Sequence, residues 1–117
     1  MPDIFAIIRT MKIVIFGASG KVGRVVVRQA LDRGYDVVAF VHKNNPFGDD
    51  ARVQVFQGNI YSGEDVINTI TGCDAVVSCL GSWGTKHRNV LTSAIEQLIP
   101  AMHEQNINRI ITLTLSR

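Results

Sequence analysis

Apolar residues in this chain fall into short solid runs, separated by stretches in which they recur every three or four positions. Lys12–Phe16 (KIVIF) is a β-branched run that stops at Gly17, the pattern of a strand buried on both faces. Val22, Val26 and Ala30, with Val27 and Leu31, then mark one face of a helix over Val22–Arg33, and Gly34 is placed to end it. Asp36–Val41 (DVVAFV) is a second buried-type strand, the polar stretch HKNNPFGDDA with Pro46 and Gly48 is a loop, and Val53–Phe56 is a third, shorter strand. Ser62 is placed to cap a short helix running to Ile70, with Glu64 and Asp65 in its first turn and Gly72 stopping it.

Asp74–Leu80 (DAVVSCL) is a fourth buried-type strand, and Gly81–Lys86 a loop. Arg88–Gln105 predicts a long helix with Pro100 inside it, where the ring should clash with the carbonyl of Glu96 and kink the axis. Arg109–Leu115 (RIITLTL) is a fifth strand. Strands alternating with helices predict an α/β fold, a doubly wound parallel sheet of Rossmann type. Right-handed crossovers then favour the strand order 3-2-1-4-5.

Length and composition narrow the picture only a little. A chain of 117 residues predicts one domain that buries about two-thirds of its unfolded surface. The regular pattern begins at Met11, so residues 1–10 read as an N-terminal extension and residues 11–117 as the domain. The extension MPDIFAIIRT has no basic start or small-residue cleavage site and is too short to span a membrane, so no membrane partner is expected. With a net charge of +2 and no run of Lys or Arg, nucleic acid is not an expected partner. Cys73 and Cys79 straddle one predicted strand, about 20 Å apart along it, too far for a disulfide. They read as small reduced core residues, which suits a cytoplasmic location, and no Cys–His spacing suggests a metal.

The chemistry sits in the first strand-to-helix turn. Gly17, Gly20 and Gly23 are spaced three apart in F-G-A-S-G-K-V-G. A helix N-terminus there offers unpaired N–H groups and about half a positive charge, both of which favour phosphate. Gly17 permits the tight turn, Gly20 lets main chain approach a pyrophosphate, and Gly23 lets the helix lie close on the strand; Ser19 adds a hydroxyl donor. Lys21 and Val22 complete the first turn of this expected dinucleotide site. The competing reading is a tight turn in which glycine merely relieves sterics.

About twenty residues further on, where a carboxylate would bind a ribose 2′-hydroxyl, stand His42 and Lys43, with no carboxylate before Asp49. An ammonium, with an imidazole beside it, attracts a 2′-phosphate, so NADP(H) is expected over NAD(H). Two exposed polar residues opening a loop is the alternative.

The motifs "KIVIFGASGKVG", "GYDVVAFVHK", "VFQGNI", "CDAVVSCLG" and "NRIITLT", in this order, resemble the atypical short-chain dehydrogenase/reductase proteins. Within them the likeness is to the NmrA-like and biliverdin/flavin-reductase-like NAD(P)-binding families, from Met11 to about Arg109. The resemblance implies a reductase of small aromatic, flavin- or quinone-like substrates, or a regulator that senses the cofactor without turnover. It implies that Asn59 stands where the family commonly reads the adenine amino group with Asp, a bond that the Asn side-chain carbonyl can also accept, with Ile60 beside it. Leu80 and Gly81 would line the cofactor path by their backbone. Ser82 and Trp83 would lie toward the nicotinamide, although Trp83 equally reads as a loop aromatic covering a core edge.

The superfamily's Tyr-x-x-x-Lys pair is missing: Tyr35 and Tyr61 both precede strand four and neither has Lys four residues later. Thr114 matches the hydroxyl position at the end of strand five in related atypical reductases, and is also simply a good β-former. Lys86 and His87 are weaker anion-contact candidates, and His103 reads as a cation near a helix C-terminus. A truncated protein is expected, lacking the substrate half, and self-associating into a homo-oligomer through a bare strand-five edge or the adjacent face. A folded remnant that has lost binding is the third reading.

Overall fold

The computed structural model describes residues 11–79, 96, 98–107 and 109–112. Five strands form one parallel sheet: β1 (Lys12–Phe16), β2 (Asp36–Val41), β3 (Val53–Gln57), β4 (Ala75–Ser78) and β5 (Ile110–Thr112). Their order is β3-β2-β1-β4-β5, the expected doubly wound topology. Register is continuous across the middle of the sheet, where Val14 lies beside Val38 on one side and Val76 on the other. All the strands run parallel, so buried residues follow one another along β1, β2 and β4 without alternation.

Helix α1 (Lys21–Asp32) covers one face of the sheet, and α2 (Gly63–Ile70) with a helical stretch over 98–104 covers the other. On the first face Val27 and Ala30 of α1 pack on Ile13, Ile15, Ala39 and Val77, joined by Phe47 from the β2–β3 loop. On the second, Val66 and Ile70 of α2 and Leu98, Ala101 and Met102 close over Val14, Phe16, Val38, Phe40 and Val76. Leu98, Val66 and Ile70 are all fully buried.

The helix signals work as the sequence suggests. Gly34, at φ 81°, ends α1, with its N–H on the Leu31 carbonyl and Tyr35 N–H on that of Ala30. Asn106, at φ 58°, does the same for the last helix: Ile107 N–H donates to the Met102 carbonyl at 2.9 Å. Ser62 Oγ accepts from Asp65 N–H at 3.2 Å and caps α2.

Strand β4 begins at Ala75, one residue later than the predicted strand Asp74–Leu80. Asp74 turns its carboxylate to Lys12 N–H at 2.7 Å and gives its own N–H to the Lys12 carbonyl at 2.7 Å, so it closes the edge of the ladder instead of extending the strand. The first part of the long predicted helix, residues 88–95, and the end of strand five lie outside the described residues. On β5, Ile110 packs against the second core cluster, while Ile111 points to the opposite face and is 47% exposed.

Candidate functional site

The site starts from backbone at the end of β1. Gly17 has φ 74°, a left-handed conformation that reverses the chain at no steric cost only without a β-carbon. Gly20 then takes the N-cap position of α1 in an extended conformation, with φ −78°. No side chain caps that end, and α1 has no acidic residue in its first turn. Among the described residues, the first-turn N–H groups of Lys21, Val22 and Gly23 therefore have no capping side-chain oxygen and no carboxylate in their own turn competing with an anion. Among the described residues, a β-carbon built on Gly20 meets nothing closer than the Gly17 carbonyl oxygen at 3.5 Å, which leaves room above this turn for a ligand. The turn fits a pyrophosphate.

A cavity of about 520 Å³ opens from this turn along the C-terminal ends of β1, β2 and β3. Gly17 and Ser19 form its phosphate end, Phe40 and His42 come from the end of β2, and Asn59, Ile60 and Tyr61 from the β3–α2 connection. Phe40 is held from behind by Phe16 and Phe56, with ring centroids at 4.8 and 6.0 Å. Among the described residues no Asp or Glu lines the cavity, and His42 is the one basic side chain. Lys43 follows immediately, exposed, and its carbonyl is reached by Gln57 Nε2 at 3.5 Å.

The β3–α2 connection is tied by local bonds. Asn59 N–H donates to Asp65 Oδ2 at 2.9 Å, Ser62 N–H to the Asn59 carbonyl at 2.9 Å, and Tyr61 N–H to Asn59 Oδ1 at 2.9 Å. Thus the side-chain oxygen expected to meet a base already serves the backbone.

Gly17, Ser19, His42, Asn59 and Ile60 thus come together from three loops, while Gly20, Lys21, Val22 and Gly23 build the turn beside them without lining the cavity. Phe40 and Tyr61 line it as well. Tyr61 lies on no strand or helix pattern, so only its place after "GNI" hinted at it, and Phe40 reads in sequence as one more core residue. Leu80, Gly81, Ser82, Trp83, Lys86, His87 and Thr114 lie outside the described residues. His103 is exposed in the last turn of the final helix. Cys79, which continues the β4 ladder by donating its N–H to the Phe16 carbonyl at 2.9 Å, is buried, and burial pushes its thiol up to about 11. Burial raises the Cys73 thiol to about 11 as well, with Lys12 opposing and Asp74 reinforcing the shift. Neither is a nucleophile at neutral pH. Among the described residues no cluster of His, Cys, Asp and Glu is placed to hold a metal, and no helix is long and apolar enough to cross a membrane.

A parallel sheet in this order, with a glycine turn and an open cavity at the carboxyl ends of its strands, is a dinucleotide-binding Rossmann domain. The chain matches a family described as NAD(P)H-binding over residues 17–116 and belongs to it. It is similar to the isoflavone reductase homolog IRL of Zea mays, 28% identical over 74% of this chain and 31% of the relative. It is also similar to the 2-alkyl-3-oxoalkanoate reductase of Stenotrophomonas maltophilia, 26% identical over 86% of this chain and 32% of that protein. In fold it matches a short-chain dehydrogenase/reductase from Veillonella parvula, with a TM-score of 0.74 at 18% identity, covering 92% of this chain and 49% of the other. The chain spans about a third of the length of these curated relatives. The likeness to atypical short-chain dehydrogenase/reductase proteins therefore holds.

Proposed function

We propose that this domain binds NADPH in preference to NADH and serves hydride transfer to a small aromatic, flavin- or quinone-like substrate. The observation that carries the proposal is the lining of the cavity. A bare, uncapped helix N-terminus stands at one end, His42 with Lys43 next to it stands at the β2 end, and among the described residues no carboxylate lines the cavity. An acidic residue at β2 would repel a 2′-phosphate; an imidazole and an ammonium attract it. Two relatives named as reductase or reductase homolog support the reaction class.

The residues divide the work by position. Gly17, Gly20 and the first-turn N–H groups of Lys21, Val22 and Gly23 hold the pyrophosphate, with Ser19 donating a hydroxyl. His42 and Lys43 meet the ribose phosphate, and Phe40, Asn59, Ile60 and Tyr61 enclose the base. Leu80 and Gly81 are assigned to the path toward the nicotinamide and Thr114 to the substrate's side of it. The reduced nicotinamide supplies the hydride; the protein contributes orientation.

Titration with NADPH and NADH, read by quenching of Trp83 and by energy transfer to the reduced cofactor, tests the binding. Tighter binding of NADPH is expected, and equal affinities refute the preference. Steady NADPH oxidation with a flavin or quinone acceptor is the expected activity. Tight binding without turnover would instead identify a module that senses the cofactor. Self-association is proposed through the β5 edge, where Ile111 stands exposed; sedimentation at micromolar concentrations should show more than a monomer.

A further inference from the structure

Three of the four polar groups of Asn59 are already committed. Its N–H is held by Asp65 Oδ2, its carbonyl by Ser62 N–H, and its side-chain Oδ1 by Tyr61 N–H. The last bond fixes which way the amide is turned, because only the oxygen can accept from a backbone N–H. What remains for a ligand is chiefly Nδ2, a donor with no partner among the described residues. Asp65 is not among the residues that line the cavity, and its Oδ2 is occupied. Asn59 shares the cavity lining with Ile60, Tyr61, and Phe40 braced by its two aromatic neighbours.

This is a slot for a planar base with a donor at its edge. Adenine offers that donor the ring acceptors N1, N3 and N7, and carries an amino group at C6. Hypoxanthine keeps N3 and N7 and puts an oxygen acceptor at C6. A donor finds a partner on either base. Along the edge formed by N7 and C6, a carboxylate accepts from the amino group of adenine but meets only acceptors, N7 and the oxo group, on hypoxanthine. We infer that this chain reads its purine with the Asn59 amide donor, and so accepts a 6-oxopurine dinucleotide about as well as a 6-aminopurine one. The inference rests on the dinucleotide reading of the cavity and adds its selectivity for the base.

The test is calorimetric titration of the protein with NADPH and with its hypoxanthine analogue, repeated on Asn59→Asp and Asn59→Ser. Wild-type affinities should agree within about threefold, since each base satisfies the same donor. Asn59→Asp keeps an oxygen for Tyr61 N–H but replaces the donor with an acceptor, and should favour NADPH by roughly tenfold or more. Asn59→Ser keeps a hydroxyl acceptor for Tyr61 N–H, removes Nδ2, and should weaken both ligands by the same factor. A wild-type preference for NADPH of about tenfold would overturn the inference, as would an unchanged ratio in Asn59→Asp or a loss confined to one ligand in Asn59→Ser. Failure of both dinucleotides to bind the wild-type protein would be a different result, sinking the cofactor reading and the base selectivity together.

Discussion

Gly23, buried in the first turn of α1, faces Gly17 so closely that a β-carbon on it would run into the Gly17 carbonyl oxygen and lie 2.7 Å from Ala18 Cα. Both obstacles are main chain, which cannot swing aside as a side chain can. Gly23→Ala therefore forces α1 away from β1, at a cost of about 1–3 kcal/mol or more from overpacking. The expected result is a lower urea midpoint with an unchanged slope, together with loss of NADPH binding. A variant as stable as the parent would show that the helix has room to shift.

Gly20, three residues earlier, predicts the opposite combination. Its conformation is one any residue adopts, and an added methyl makes only an ordinary contact at 3.5 Å. Gly20→Ala should keep the melting temperature of the parent, or raise it slightly by reducing the freedom of the unfolded chain. The same methyl occupies the approach to the pyrophosphate, so dinucleotide affinity should fall by on the order of tenfold or more. Unaltered affinity would mean that the phosphate does not lie against this turn.

How much of this was legible in the sequence follows from which forces fix each part. The five strands and their order could be read because a parallel sheet buried on both faces demands solid apolar runs such as Ile13–Phe16 and Val37–Val41, and crossover handedness leaves few orders. Strand ends were less legible, because Asp74 leaves β4 through a bond to Lys12, 62 residues away in sequence. The glycine turn could be read because its need for missing side chains is local. The far wall of the cavity could not: Phe40 reads as core, and the role of Tyr61 depends on a loop whose shape is set by Asn59 and Asp65. The orientation of the Asn59 amide is likewise invisible until the Tyr61 N–H is seen against its oxygen.

Lys43 supplies a fixed positive charge next to His42 at the end of β2. If a 2′-phosphate docks there, Lys43→Glu replaces attraction by repulsion and should shift the NADPH-to-NADH affinity ratio toward NADH by on the order of tenfold. Added salt should shrink the effect, since the group is exposed. Stability should hardly change, because the Lys43 side chain makes no hydrogen bond or ion pair among the described residues. A ratio that stays constant in the variant would remove the electrostatic argument for NADPH.

Cys73 and Cys79 give the fold a dependence on alkaline pH whose sign follows from burial. Each thiol is pushed from 9.0 to about 11 because the thiolate would be desolvated in the core. An unfolded chain releases these protons near the ordinary value, so between about 9 and 11 the folded state binds more protons than the unfolded one. Stability contributed by the thiols is thus fully present below that window and is lost as pH rises through it. Urea midpoints measured from pH 8 to 11 should fall more steeply for the parent than for the Cys73→Ala, Cys79→Ala double variant, in which the thiol contribution is gone. Reaction with a thiol reagent at neutral pH should likewise proceed only as fast as the domain opens. Prompt labelling of either cysteine in the native protein would show that the strand-four core is more accessible than its packing against α1 and α2 implies.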